Sequence, residues 1–163
     1  MRPGIAPVLP RAGTVPKLNM NVRDAQESDF ARVTELLEND GRPRIPHAEY
    51  TDYREAYVQR LGEAGTTNLV AVDDGVIVGF CSIQFRHRFN HMRPEAWIAD
   101  LVVEPTAQGR GAGRALLDAA EERARAHDCW GMALESTDDR REAHLLYRMT
   151  GMEDAGRYFR KRL

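Results

Sequence analysis

Gln108-Gly109-Arg110-Gly111-Ala112-Gly113-Arg114 sets three glycines at alternate positions just ahead of an alanine-rich, helix-prone run. A helix start leaves its first N–H groups unpaired and partly positive, and glycine lets a ligand come close to that backbone, so the pattern suits a pyrophosphate cradle. The order GxxxxGK[ST] of a P-loop is absent, and the chain's only lysines are Lys17 and Lys161. A GxGxxG frame begun at Gly109 lands on Arg114, and one begun at Gly111 lands on Leu116, so the dinucleotide fingerprint fails as well. Taken alone, alternating glycines fit a plain strand-to-helix turn as well as a ligand loop. His87 and His91 would make a metal pair only on a helix, whereas Arg86 to Arg93 reads as a strand end and a basic loop, so no metal is expected. Cys81 and Cys129 form no CxxC pair, which fits reduced thiols in a cytoplasm.

The elements that would present such a loop can be read on either side of it. Trp97-Ile98-Ala99-Asp100-Leu101-Val102-Val103 is nearly continuous in apolar residues, as a strand covered on both faces would be, and Glu104-Pro105 ends it. A helix is expected from about Gly111 to Ala126, its stripe formed by Ala112, Leu116, Ala120 and Ala124 with Leu117 flanking. Residues 130 to 136 read as another strand. Asp139 with Glu142 suggests a capping box for a helix that ends at Gly151, and a closing strand is expected around Gly156 to Lys161.

Upstream, Met20 to Arg23 reads as a short strand. Ser28 is the expected N-cap of a helix carrying Phe30, Val33, Leu36 and Leu37, which Gly41 to Pro46 interrupts. Residues 47 to 62 regain helical spacing. Leu69 to Val72 and Val76 to Ile83 flank Asp73-Asp74-Gly75, a hairpin signal. Residues 1–19 hold Pro3, Pro7, Pro10 and Pro16 and read as a flexible N-terminal extension, so 20–163 is the expected single domain, a mixed α/β layer fold.

Length and composition agree with that. At 163 residues, with 42% hydrophobic and 29% charged side chains, the chain can bury one core and is too apolar for a disordered segment. A net charge of -2 lacks the basic footprint of a nucleic-acid binder. No window reaches the ~20 apolar residues of a membrane span, and the first residues lack a signal-peptide core, so a cytoplasmic location is expected.

In order along the chain, Leu101-Val102-Val103-Glu104-Pro105, the Gln108-x-x-Gly111-x-Gly113 frame and Ala143-His144-Leu145-Leu146-Tyr147-Arg148-Met149-Thr150-Gly151-Met152 resemble the GNAT superfamily of N-acetyltransferases. The resemblance spans about residues 20 to 163. It implies the GNAT fold: a mixed, mostly antiparallel central sheet with splayed middle strands, flanked by helices. It implies acetyl-CoA as cosubstrate, held by the backbone of Leu101, Val102 and Val103 and by Gln108, Gly109, Arg110, Gly111, Ala112, Gly113 and Arg114. An amide of that strand would also hold the acetyl oxygen as charge develops on it. Arg140 stands where many relatives place a cofactor-touching asparagine and is carried as a further contact.

The same resemblance implies direct attack by an amine within a ternary complex, with Tyr147 as general acid for the departing thiolate. An alkylamine of pKa ~10.4 must lose a proton at neutral pH. Relatives often use a glutamate at the position of Ala99, so the base is sought next door, in Asp100, with Glu135 as the other candidate. The acceptor is expected to be a small-molecule amine, and Arg42, Arg44, Arg86, Arg88 and Arg93 are the basic residues that could flank its pocket and favour an anionic amine. Homodimers are common in the superfamily. The other reading is an acetyl-CoA-binding sensor or regulatory module without turnover.

Overall fold

The computed structural model describes residues 20–157 and 159–161; the expected extension over residues 1–19 lies outside them. Five strands form one sheet in the order β1-β2-β3-β4-β5, with β1 Met20–Asp24, β2 Thr66–Asp73, β3 Val76–Arg86, β4 Glu95–Val103 and β5 Gly131–Leu134. Neighbours are antiparallel except β4 and β5, which run parallel. The helices are α1 Phe30–Asn39, α2 Tyr50–Leu61, α3 Ala112–Ala126 and α4 Arg141–Met149. This is the expected fold, a mostly antiparallel mixed sheet flanked by helices.

The hairpin at Asp73-Asp74-Gly75 forms because Asp74 (φ 46°) and Gly75 (φ 81°) both take the left-handed conformation that a tight two-residue turn between twisted strands requires. The parallel pairing of β4 with β5 needs a long crossover, which α3 supplies. One face of the sheet packs against α3, where Ala112, Leu116, Leu117, Ala120 and Ala124 are buried with Leu69, Cys81, Ile83, Ala96 and Ile98. On the other face, Val33 and Leu36 of α1 cover Val70, Ile77, Phe80 and Val102.

Local chemistry moved several expected boundaries. A 3-10 turn, Glu27–Asp29, precedes α1, and Ser28 does not cap the helix. Asp29 stands at the N-cap position of α1 without a side-chain cap bond to it; its carboxylate closes the turn before the helix, accepting from the Gln26 amide at 2.8 Å, and is held by the Arg23 guanidinium at 2.6 Å. The capping box of Asp139 with Glu142 is absent; α4 starts after Arg140 with no side-chain cap. Arg140 is drawn to Asp40 at 2.8 Å, which fixes that end of the helix by an ion pair rather than by a cap. The closing strand is also absent among the described residues of 156–161. Gly156 turns at φ 152°, and Phe159 lies exposed with no apolar face to pair against, so that segment gains nothing from joining the sheet.

Candidate functional site

The site begins with a bulge. β3 and β4 pair in register from Arg86 with Glu95 to Ile83 with Ile98, then resume with Ser82 opposite Asp100, so Ala99 is the extra residue. A bulge inverts which side chains face which way. Before it, Ala96 and Ile98 pack toward α3; after it, Leu101 and Val103 do so, while Val102 turns to α1. Asp100 therefore shares the α1 face with Val102, and its carboxylate meets Arg42, from the segment between α1 and α2, at 2.6 Å.

Pairing of β4 with β5 stops at Ile98 and Leu134, so from Ala99 to Val103 the strand has parted from β5. Backbone groups on that side are freed for another extended partner. Val102 is buried and can offer only its backbone. The Val103 carbonyl accepts from the Gln108 side chain at 3.2 Å, which ties the glycine loop to the end of β4.

The three glycines of the loop have different reasons to be glycine. Gly109 (φ 70°) and Gly111 (φ 102°) are left-handed, and a Cβ at either would meet nothing within 4 Å, so the space beside them is open. At Gly113 a Cβ would come within 2.9 Å of Leu146 Cδ2, so its small size serves the packing of α3 on α4. Ala112 is fully buried and anchors the first turn. No side chain caps α3, which leaves its leading amides unspent, as an anion-binding start requires. Arg110 is exposed there, while Arg114 pairs with Asp118 one turn on at 2.7 Å. The open glycine backbone and the uncapped helix start fit a pyrophosphate group.

α4 carries the half-buried Tyr147, which with Leu146 packs against the α3 side of the core. Burial pushes the Tyr147 hydroxyl above the ordinary tyrosine value, against the opposing pull of Arg140 and of a hydrogen bond with Ser136. Ser136 in turn lies 3.1 Å from His144 Nε2. A cleft of about 150 Å³ between Leu36, Asn39, Asp40, Val103, Glu104, Pro105 and Gln108 opens beside the end of β4.

Leu101 to Val103, Gln108 to Arg114 and Asp100 thus belong to one end of the sheet, with Arg140 above them through Asp40. Glu135 is exposed just beyond β5, outside any strand. The expected arginine cluster divides. Arg86 and Arg88 both bind the buried Glu95 at 3.1 Å, and Arg93 reaches Asp128 at 3.4 Å, all at the opposite end of β4. Of the five, Arg42 alone pairs with Asp100. His91 stacks on Trp130 with ring centroids 4.7 Å apart, and among the described residues no group of three or more His, Cys, Asp or Glu side chains could hold a metal. The pairs Arg42–Asp100 and Asp40–Arg140 escaped sequence reasoning, because Gly41 to Pro46 signals only a helix break.

The family model described as "Acetyltransferase (GNAT) family" matches residues 30–152. Aminoglycoside N(6')-acetyltransferase type 1 from Stenotrophomonas maltophilia is 34% identical over 115 residues, covering 67% of this chain and 75% of that protein. Aminoalkylphosphonate N-acetyltransferase from Salmonella typhimurium is 28% identical over 137 residues, 84% of each. Among solved structures, a transcriptional regulator from Bacillus halodurans superposes with a TM-score of 0.82 at 22% identity, over 89% of this chain and 100% of that one. AAC(6')-Iy in complex with the bisubstrate analog CoA-S-monomethyl-acetylneamine gives 0.73 at 21% identity, over 89% and 99%. At those identities the two structures speak for the fold alone. Fold, glycine loop and family match agree: the chain belongs to the acetyltransferase (GNAT) family, as an acyl-CoA-dependent N-acetyltransferase.

Proposed function

We propose that this chain transfers the acetyl group of acetyl-CoA to a primary amine of a small molecule, by direct attack while both substrates are bound. One observation carries the reading: β4 leaves β5 immediately after the Ala99 bulge, so free strand backbone opens beside the uncapped, glycine-led start of α3. The backbone of Leu101 to Val103 would pair with the extended arm of the cosubstrate, and Gln108 to Arg114 would cradle its pyrophosphate. A strand amide would hold the acetyl oxygen as it gains charge, which is the largest contribution in many acyl transfers.

In this mechanism the amine nitrogen forms its bond to the acetyl carbon as the carbon–sulfur bond breaks. Tyr147 donates its hydroxyl proton to the leaving sulfur, and its raised pKa keeps that proton in place at neutral pH. Asp100 receives the amine's proton, through water, once the Arg42 guanidinium has moved off it. Arg140, engaged with Asp40, steadies the start of α4 and so the position of Tyr147. Relatives named for aminoglycoside and aminoalkylphosphonate acetylation support a small-molecule acceptor.

The test is thermal unfolding with and without acetyl-CoA, followed by thiol release over a panel of amines. Ligand at one hundred times its dissociation constant should stabilise the chain by about 2.7 kcal/mol. Tyr147→Phe should keep that stabilisation and lose roughly 100-fold in kcat. Absence of any acetyl-CoA-dependent shift would overturn the reading. A sensor without turnover is the second reading, favoured by the engagement of Asp100 with Arg42 and by Ala99 at the usual acidic position. Stabilisation without thiol release from any amine would select it.

A further inference from the structure

The following inference rests on the acetyltransferase reading and names its acceptor. We propose that the Arg42–Asp100 ion pair is the acceptor's binding dipole, entered by a zwitterionic amine that places its ammonium on Asp100 and its acid group on Arg42. The class is an aliphatic amine with a carboxylate, phosphate or phosphonate a few bonds from the nitrogen.

The two partners are held unequally. Asp100 stands on β4, fixed by pairing with Ser82, and its side chain is 29% exposed; Arg42 is a 53% exposed side chain on the segment between α1 and α2. A guanidinium on a long stem moves at little cost, whereas a strand carboxylate stays where it is. A partly exposed pair is also weakly held, so a ligand can replace either side of it. Asp100 lies just past the bulge, next to the backbone proposed to hold the acetyl group, so an amine seated there, its proton passed to Asp100, presents the nitrogen lone pair to the thioester.

The charge count then selects among amines. The neighbouring Asp40 is already taken by Arg140, and the remaining arginines of the sheet's far end are taken by Glu95 and Asp128. A simple cation that displaces Arg42 gains one ion pair, breaks one and leaves a guanidinium facing it. A zwitterion that enters between them breaks one pair and makes two, with the planar fork of Arg42 available for two parallel hydrogen bonds to the acid group.

The experiment is calorimetric titration of 2-aminoethylphosphonate, 3-aminopropanoate and propylamine into the full chain held with CoA, for wild type, Arg42→Gln, Arg42→Lys and Asp100→Asn. At least one zwitterion should bind about tenfold or more tightly than propylamine, the effect of one charge-assisted contact. Arg42→Gln should remove that advantage and spare propylamine, Arg42→Lys should restore part of it, and Asp100→Asn should weaken all three. Equal binding of the three amines by wild type, no binding by any, or an equal loss for all three in Arg42→Gln would overturn the inference. Thiol release is read separately. The expected binding pattern without thiol release would sink acetyl transfer and leave the dipole standing, while thiol release indifferent to Arg42 would sink the dipole alone.

Discussion

Tyr147 on α4 and Gly111 at the start of α3 are each held to their place by a different physical demand. Tyr147 is lifted above the ordinary tyrosine pKa chiefly by burial. The alkaline limb of kcat should therefore begin above pH ~10 in wild type, and that limb should be missing from the residual rate of Tyr147→Phe; a pH profile of thiol release checks both. Gly111 is needed for its φ of 102° rather than for lack of room, since nothing lies within 4 Å of a Cβ there. Gly111→Ala should cost about 1–2 kcal/mol in unfolding free energy and weaken acetyl-CoA binding, because the loop must shift its amides to relieve the strain. Denaturant titration and the acetyl-CoA-dependent shift in Tm separate the two effects.

Between α3 and its neighbours, two other glycines set how closely elements approach. Gly79 on β3 lies beneath α3, where a Cβ would sit 2.9 Å from Leu116 Cδ1 and 3.1 Å from the Val102 carbonyl oxygen. Gly79→Ala should destabilise the chain by about 1–3 kcal/mol through overpacking, and Leu116→Ala, at a fully buried position, by about 2–5 kcal/mol through a cavity. Gly113 governs the α3–α4 contact through Leu146, the neighbour of Tyr147 in sequence. Gly113→Val should therefore lower kcat more than Gly111→Ala does while disturbing acetyl-CoA binding less, a contrast visible in single-turnover thiol release beside cofactor titration.

Over the whole molecule, stability should fall at both extremes of pH for reasons that can be assigned. The Asp29 carboxyl is held below the usual aspartate value, first by its hydrogen bond from Arg23, so its contribution is complete above pH ~3.9 and is lost as pH falls through its lower folded value. The Tyr57 hydroxyl, pushed up to about 12 chiefly by burial, donates to the Gln26 carbonyl at 3.1 Å and ties α2 to the turn before α1. Its contribution is complete below pH ~10 and is lost as pH rises from there toward its folded value. Asp29→Asn should flatten the acid side of a stability–pH curve, and Tyr57→Phe the alkaline side.

From Met20 to Met149 the sequence by itself determined the order of strands and helices, because alternation, apolar stripes and the Asp-Gly turn are local signals that the tertiary structure had no reason to override; the strand expected around Gly156 to Lys161 did not form among the described residues. The glycine turn ahead of α3 was legible for a related reason, since Gly109 and Gly111 take their left-handed backbone within one short stretch of chain, whereas Tyr147 was named through the family resemblance. Tertiary structure alone decided where Asp100 points, since one extra residue at Ala99 turns every later side chain of β4 to the opposite face and leaves no mark in a nearly continuous apolar run. It also decided that Arg42 and Asp100, 58 residues apart, would meet, and that Arg86, Arg88 and Arg93 would be spent on carboxylates at the far end of the sheet. Ion pairs form where folding brings opposite charges within a few ångströms, and spacing along a chain does not encode that distance.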